Sequence, residues 1–76
     1  MVTVLGSALK HGCSEEDILH ALNVFLFDYV ESEDPRKVVR VGYDTHARLL
    51  EIGFMEDGER VTVFHAMKAR RRYLQR

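Results

Sequence analysis

The spacing of apolar residues changes once along the chain, near residue 25. Before this point Ile18, Leu22 and Phe25 recur at intervals of four and three residues, which is the spacing of one helix face. After it, apolar and polar residues alternate, which is the period of a β-strand. The pattern therefore predicts an α+β domain with its helices first and its strands afterwards.

Two helices are predicted in the N-terminal part. The first covers residues 4–11, and Gly12 after it suits the left-handed conformation that closes many helices. The second begins at Ser14, a favourable N-cap, and the three acids that follow lie at the positive end of the helix dipole. Its apolar stripe predicts that this helix packs on the sheet.

Four strands and a short C-terminal helix complete the prediction. The strands are predicted at 27–31, 38–43, 48–55 and 60–67, and the helix from about Lys68. Asp57-Gly58 is predicted as a two-residue hairpin turn. We therefore expect a single domain over residues 1–76, in which two N-terminal helices pack on a four-stranded antiparallel sheet with a short C-terminal helix.

The two predicted hairpins place several polar residues together. With Asp57-Gly58 as one turn and 44–47 as the other, Leu50 faces His65 and Tyr43 faces Arg48 on the apolar face. This register predicts that His65, Arg48 and the C-terminal residues meet at one corner.

Charge is distributed unevenly along the chain. The formal net charge is −1, yet residues 68–76 hold five of the eleven Lys and Arg residues and no acid, so residues 1–67 carry 12 acids against six bases. One interpretation is a solvated helix end, and the other is a phosphate site. The candidate RNA contacts are Lys68, Arg70, Arg71 and Arg72, with Arg76 in the same run. Tyr73 either packs on the sheet or stacks on a base.

Three residues are candidates for catalysis, and each has a plain structural alternative. His65 is a general acid or base or a phosphate contact, or else a histidine that closes the edge of the core through a backbone hydrogen bond. Arg48 is a phosphate clamp, or it pairs with Asp44 across the turn. His11 joins the same site, or it is a favourable histidine at a helix C-terminus.

Other chemistries have little support in the composition. A single cysteine, Cys13, forms no internal disulfide, which fits a reduced, cytoplasmic setting. Its spacing from the four histidines matches no zinc pattern, so we expect no metal site and no cofactor. No apolar run approaches the roughly 20 residues of a membrane span, so we expect no membrane partner. A homodimer stays possible, because a chain this short buries a modest core and a dimer contact would add stability.

The order of these segments resembles a known family. KHG followed by SEED and an apolar helix, then strands ending in RLLEIGFMEDGERVTVFHAMKARRRY, is similar to BrnT-type toxins of the RelE/ParE superfamily over about residues 5–74. The resemblance implies the helix-on-antiparallel-sheet fold given above and a metal-independent ribonuclease that cleaves messenger RNA. It also implies a cognate antitoxin partner, often of the ribbon-helix-helix type that binds DNA. By position it places His11, Arg48 and the cations after His65 where such toxins keep polar and basic residues.

Three functions remain open from the sequence. The first is the toxin of a type II toxin-antitoxin pair that acts as an endoribonuclease. The second is a non-enzymatic module that works by protein–protein contact, as the gyrase-inhibiting members of the superfamily do. The third is a structural or regulatory domain without a phosphate contact.

Overall fold

The protein folds as a five-stranded mixed sheet with one α-helix and a short C-terminal helix. This computed structural model describes residues 1–75, so the predicted tail cation Arg76 lies outside the described residues. The elements in chain order are β1 (Val2–Val4), a 3-10 turn (Gly6–Leu9), α1 (Glu15–Asn23), β2 (Phe25–Glu33), β3 (Arg36–Tyr43), β4 (Leu49–Asp57), β5 (Arg60–Lys68) and α2 (Arg71–Leu74). The strand order is β1-β5-β4-β3-β2, with β1 parallel to β5 and every other pair antiparallel.

The predicted architecture of two N-terminal helices on a four-stranded antiparallel sheet is wrong. The predicted helix at 4–11 is reduced to the 3-10 turn Gly6–Leu9, and β1 precedes it. Val2 to Val4 are β-branched, and they extend along Val61 to Val63 of β5. The sequence pattern did not reveal this strand because three residues are too few to show a period and their partners lie about 60 residues away.

The helix α1 forms as predicted and is held close to the sheet. The Ser14 hydroxyl accepts a hydrogen bond from the Asp17 backbone N–H at 3.1 Å, which caps the first turn. The helix buries Ile18 and Ala21 against the sheet. Gly42 in β3 permits this close approach, because a Cβ at this position would overlap the Ala21 carbonyl oxygen.

Both faces of the sheet are covered. On one face α1 packs over Val38, Leu50, Ile52, Phe54 and Val63. On the other face Ala69, which precedes α2, and Tyr73 within α2 pack over Val39 and Val41, together with Phe27, Tyr29 and Leu49. The central strands therefore bury residues on both sides, which explains why apolar residues in β3 do not alternate strictly with polar ones.

The strands predicted at 38–43 and 48–55 do pair, but their predicted register is wrong by one residue. Tyr43 faces Leu49 rather than Arg48, and Val41 faces Glu51 rather than Leu50. The connecting loop is one residue longer than predicted because the Asp44 carboxylate accepts the backbone N–H groups of His46 and Arg48, both at 2.8 Å. A one-residue shift exchanges the faces, so Glu51 lies on the α2 side.

The last hairpin also differs from the predicted one. Asp57 pairs with Arg60, so the two turn residues are Gly58 and Glu59, and Gly58 has a φ of +62°. A glycine with positive φ at the first central position is typical of a type II′ turn. Phe54 therefore faces Val63 rather than Val61, a shift of two residues that leaves the faces unchanged.

A bulge then changes the face of the end of β5. Phe54 faces Val63, but the next pair is Gly53 with His65, so Phe64 is an extra residue in β5. Beyond the bulge Ala66 is buried under α1, and His65 lies on the α2 side. The predicted position of His65 opposite Leu50, on the same face as Val63, is therefore wrong.

The helices of the described residues are short. None of those in residues 1–75 has the length and apolar character needed to cross a bilayer.

Candidate functional site

The centre of the candidate site is Glu51, a carboxylate with no solvent exposure in the middle of β4. Its Oε1 accepts the Arg70 backbone N–H at 2.8 Å, and its Oε2 accepts the Arg70 Nη2 at 2.8 Å. The His65 Nε2 lies 2.9 Å from the same Oε2. Burying a charge is costly unless it is paired and hydrogen-bonded, and Glu51 meets both conditions.

These contacts decide the ionisation of the group. Burial opposes the charged form of Glu51, but the hydrogen bonds from Arg70 and His65 outweigh it, so the pKa of Glu51 lies below its ordinary value of 4.5. The hydrogen bond to Glu51 in turn raises the pKa of Arg70. Since an ionised carboxylate only accepts hydrogen bonds, the His65 Nε2 carries a proton, and in the neutral ring Nδ1 keeps the lone pair.

The β5 bulge brings His65 to Glu51. Ser7 of the 3-10 turn donates its hydroxyl to the Phe64 carbonyl at 2.8 Å, at the bulged residue. Gly53, opposite, leaves room for the two side chains, because a Cβ there would lie 3.2 Å from both the His65 Cβ and the Phe64 ring. Local backbone irregularity therefore decides which side of the sheet His65 occupies.

His11 is the second histidine of the site. It follows the 3-10 turn, and Gly12 after it adopts a φ of +86°, the left-handed conformation predicted for this glycine. The His11 ring meets the His65 ring edge to face, with the centroids 5.8 Å apart. The structure therefore brings together two of the three predicted catalytic residues.

A hollow of about 360 Å³ opens in front of His65, and we call it the His65 hollow. Three cations line it, Lys10, Arg70 and Arg72, with Glu31 as an acid on its rim. Its remaining lining comes from Val39, Gly53, Phe64, His65 and Tyr73. The excess of cations beside two imidazoles makes this surface suitable for a phosphate group.

Arg48 lies elsewhere. Its Nε donates to the Asp44 Oδ2 at 3.0 Å, and its side chain is 70% exposed while Asp44 is 3% exposed. The predicted contact between Arg48 and His65 rested on the incorrect register. Arg48 instead lines a second hollow of about 190 Å³, the Arg48 hollow, together with His11, Gly12, Cys13, Asp17, Asp44, Leu50 and Lys68.

The predicted RNA-binding residues are divided between these surfaces. Arg70 and Arg72 line the His65 hollow, Lys68 lines the Arg48 hollow, and Arg71 is exposed at the start of α2. Tyr73 is 8% exposed and packs against Tyr29 at a centroid distance of 5.5 Å. The Arg72 Nη2 donates to the Tyr73 hydroxyl at 2.6 Å. Of the two roles that the sequence left open for Tyr73, the structure shows packing on the sheet. Its side chain also contacts Arg72, one of the cations that line the hollow.

The remaining histidines have structural contacts. His20 donates its Nδ1 proton to the Tyr43 carbonyl at 2.6 Å and so helps to attach α1 to β3. His46 lies near Asp17 and Asp44, and one potential ligand atom of each falls within 4.8 Å of the others. Asp17 accepts two hydrogen bonds from Thr45, and both Asp44 oxygens accept from the 44–48 loop. These hydrogen bonds to the 44–48 loop therefore explain why the carboxylates of Asp17 and Asp44 lie close to each other.

Two residues of the candidate site, Glu51 and Lys10, were not among those predicted from the sequence. The signal for Glu51 was present, because LLEIGF places one acid within an otherwise apolar strand, where a charge needs a buried partner. Lys10 was overlooked because nothing in the sequence indicated that the 3-10 turn lies against β5.

Comparisons of the chain with protein-family models, with curated proteins and with solved structures gave no match. The resemblance to BrnT-type toxins therefore stays a prediction from the sequence.

Proposed function

We propose that this protein is a metal-independent endoribonuclease and the toxin of a type II toxin-antitoxin pair. One observation carries the proposal: His65 is oriented by a buried carboxylate, lines a hollow with three cations, and contacts the ring of His11. The resemblance of KHGCSEEDI and of the last hairpin to BrnT-type toxins supports the same activity.

The proposed reaction is attack of a ribose 2′-OH on its own phosphate. The His65 Nδ1 removes the hydroxyl proton while the 2′-oxygen forms its bond to phosphorus, and the bond from phosphorus to the 5′-oxygen breaks. A protonated His11 then gives its proton to the departing 5′-oxygen. The products are a 2′,3′-cyclic phosphate and a free 5′-hydroxyl, so atoms and charges balance without a metal.

The cations and Glu51 have separate tasks in this reaction. Arg70, Arg72 and Lys10 stabilise the negative charge that grows on the phosphoryl oxygens. Glu51 holds the His65 tautomer and stabilises the imidazolium that forms when His65 accepts a proton, as the orienting acid does in a catalytic triad. Glu51 also fixes Arg70, so one buried group positions both the base and a phosphate ligand.

The proposal includes two macromolecular partners in the cytoplasm. Messenger RNA is the substrate, and a cognate antitoxin, for which a ribbon-helix-helix DNA-binding protein is the expected type, neutralises the enzyme. An acidic segment of the antitoxin that covers the His65 hollow would compete with RNA for the same cations.

The second candidate function is the non-enzymatic binding module. It is favoured by β2, which lies at the edge of the sheet and exposes Phe25, Leu26 and Val30 by at least 44% each. An edge strand can pair with a strand of another protein, and exposed apolar side chains add to such an interface.

Cleavage of single-stranded RNA by the purified protein in the presence of a chelator tests the proposal. We expect fragments with cyclic phosphate ends, growth arrest on induced expression, and loss of both in His65→Ala. His46→Ala is the matched control, because His46 is an exposed loop histidine outside the His65 hollow. Intact RNA with wild-type protein contradicts the proposal. If growth arrest then persists and is removed by Leu26→Lys, the binding module is the correct function.

A further inference from the structure

The Arg48 hollow adjoins the proposed catalytic pair. His11 lines it and its ring contacts that of His65, so this histidine links the Arg48 hollow, on the α1 face of the sheet, to the His65 hollow on the α2 face. An RNA strand whose phosphate lies at His65 and which continues past His11 around the end of β5 would place a neighbouring nucleotide at the Arg48 hollow. What that hollow can bind depends on its charge, its hydrogen-bonding groups and its size.

The two hollows differ in charge. The cations of the Arg48 hollow, Arg48 and Lys68, are matched by the carboxylates of Asp17 and Asp44, whereas the three cations of the His65 hollow exceed the two acids beside them, Glu31 in the lining and Glu51 behind Arg70. A phosphate only accepts hydrogen bonds and is repelled by carboxylates. The Arg48 hollow is therefore better suited to a neutral group that both donates and accepts.

Donors and an acceptor are available in the Arg48 hollow. Arg48 is anchored through its Nε to Asp44, and its two terminal nitrogens have no acceptor within residues 1–75. The Lys68 ammonium likewise has no described ion-pair partner, and it is exposed at the end of β5. The Asp17 carboxylate accepts two hydrogen bonds from Thr45 on Oδ1 and one from the Ser14 side chain, and its remaining lone pairs can accept from a bound group.

The size of the hollow fits one planar ring system. Its volume of about 190 Å³ exceeds the roughly 150 Å³ of a protein cavity that holds benzene, and it is far below that of typical drug-sized pockets. The apolar part of the lining is small and comes from Leu50, which is 6% exposed, and the half-buried Cys13. A nucleobase has an edge with hydrogen-bond donors and acceptors and a flat apolar face. It therefore matches both the polar and the apolar lining of the hollow.

We propose that the Arg48 hollow binds one unpaired nucleobase of the RNA strand, that of the nucleotide next to the cleaved phosphate. This inference rests on the proposed ribonuclease function, and it changes the role of Arg48 from a catalytic clamp to a base contact. It implies that single-stranded RNA is the substrate, because in a duplex the base edge is already used for pairing.

The test measures binding rather than cleavage. A short RNA strand with 2′-O-methyl groups, which lacks the attacking hydroxyl, is bound to the protein and followed by fluorescence anisotropy. Each base is then removed in turn to leave an abasic site. We expect one position where base removal weakens binding about tenfold, the loss typical of one hydrogen-bonded base contact. Equal losses at all positions, or no binding of the strand, overturn the proposal.

A variant cycle connects this position to the hollow. We expect Lys68→Ala to bind the intact strand about as weakly as the wild type binds the abasic strand. In this variant, removal of the base should cause no further loss of affinity. Lys37→Ala, an exposed cation of β3 outside both hollows, keeps the full abasic penalty. If Lys68→Ala weakens both strands equally, Lys68 only contacts phosphate and the proposal fails. Arg48→Lys repeats the cycle with the cation retained, and thermal melts confirm folding.

The failure of the proposed function can be recognised separately. Unmodified RNA that binds with the expected base dependence but stays intact contradicts catalysis and leaves the base site standing. Cleavage without any base dependence in binding supports catalysis and overturns the base site.

Discussion

Glu51 is the residue on which the candidate site depends. It is a fully buried carboxylate that contacts both the proposed base His65 and the proposed phosphate ligand Arg70. Replacing such a group affects stability and function together, because the partners lose their orientation when the charge is removed. The effect on stability can be isolated through its pH dependence.

We predict that Glu51→Gln lowers the free energy of unfolding by about 1.5–3 kcal/mol at neutral pH, the usual contribution of hydrogen bonds to a charged group. The pKa of Glu51 is depressed in the folded state, so its stabilising effect is present above the ordinary value of 4.5 and is lost as the pH falls through the folded pKa. The difference between wild type and variant should therefore shrink below about pH 4.5. Urea denaturation over this pH range measures it.

The control for this experiment is Glu59→Gln, which removes an exposed acid of the last hairpin turn. The lowered pKa values of Asp17 and Asp44 also make the protein pH-dependent, but they act equally in wild type and variant and cancel in the difference. A difference between wild type and Glu51→Gln that stays constant down to low pH would show that Glu51 is not ionised in the folded protein.

The proposed role of His65 can also be tested with a single substitution. We predict that His65→Ala lowers the rate of RNA cleavage by about 10²–10⁴-fold, as expected for loss of a general base, with little change in RNA affinity. Single-turnover cleavage together with anisotropy separates the two quantities. If a folded His65→Ala cleaves at the wild-type rate, the base has been misassigned and His11 is the next candidate.

At the scale of elements, the contact between α1 and β3 fixes the helix on the sheet. Gly42 lies directly under the Ala21 carbonyl, and His20 bonds to the Tyr43 carbonyl beside it. The helix start is adjacent to the 44–48 loop, since Asp17 accepts both Thr45 hydrogen bonds. The position of α1 thus also determines the shape of the Arg48 hollow.

We predict that Gly42→Ala destabilises the protein by about 1–3 kcal/mol, since the added methyl group overlaps the backbone carbonyl of Ala21 and either the helix or the strand must shift. Denaturant titration measures the change. Gly6→Ala is the matched control, because a Cβ at Gly6 meets nothing within 4 Å and its φ is not in the left-handed region. Equal stabilities for the two variants would mean that α1 does not pack on β3 at this point.

Across the whole molecule, charge is segregated. The domain is acidic over residues 1–67, and three of the cations after His65 line the two hollows, Lys68 the Arg48 hollow and Arg70 and Arg72 the His65 hollow. Several of the other Arg residues are paired, as with Arg40 on Asp28 and Arg36 on Glu33 and Glu56. RNA should therefore be attracted to one corner and repelled from most of the remaining surface.

We predict that Arg72→Ala weakens RNA binding and reduces the slope of log affinity against log salt by about one phosphate contact. Arg60→Ala, a cation of the hairpin at the other end of β5, should leave the slope unchanged. Anisotropy at several salt concentrations provides both slopes. An unchanged slope in Arg72→Ala would show that this wall of the His65 hollow does not contact the RNA backbone.

Some features of this protein were predictable from the sequence because their causes are local. Ser14 caps α1, Gly12 takes a left-handed conformation, and the segments 38–43 and 48–55 pair. The sequence also named both histidines whose rings are in contact, and Arg70 and Arg72 of the His65 hollow, although their roles stay predictions. Local spacing, capping chemistry and charge are sufficient for such features, since each depends on residues only a few positions apart.

The tertiary structure alone decided the rest. The parallel pairing of β1 with β5 joins residues about 60 positions apart, and no local pattern specifies it. An extra loop residue around Asp44 placed Glu51 on the α2 side, and the bulge at Phe64 placed His65 beside it. In a sheet the side chains alternate, so each one-residue change in register moves a residue to the opposite face. The sequence determined which chemical groups are present, and two single-residue irregularities determined which of them meet.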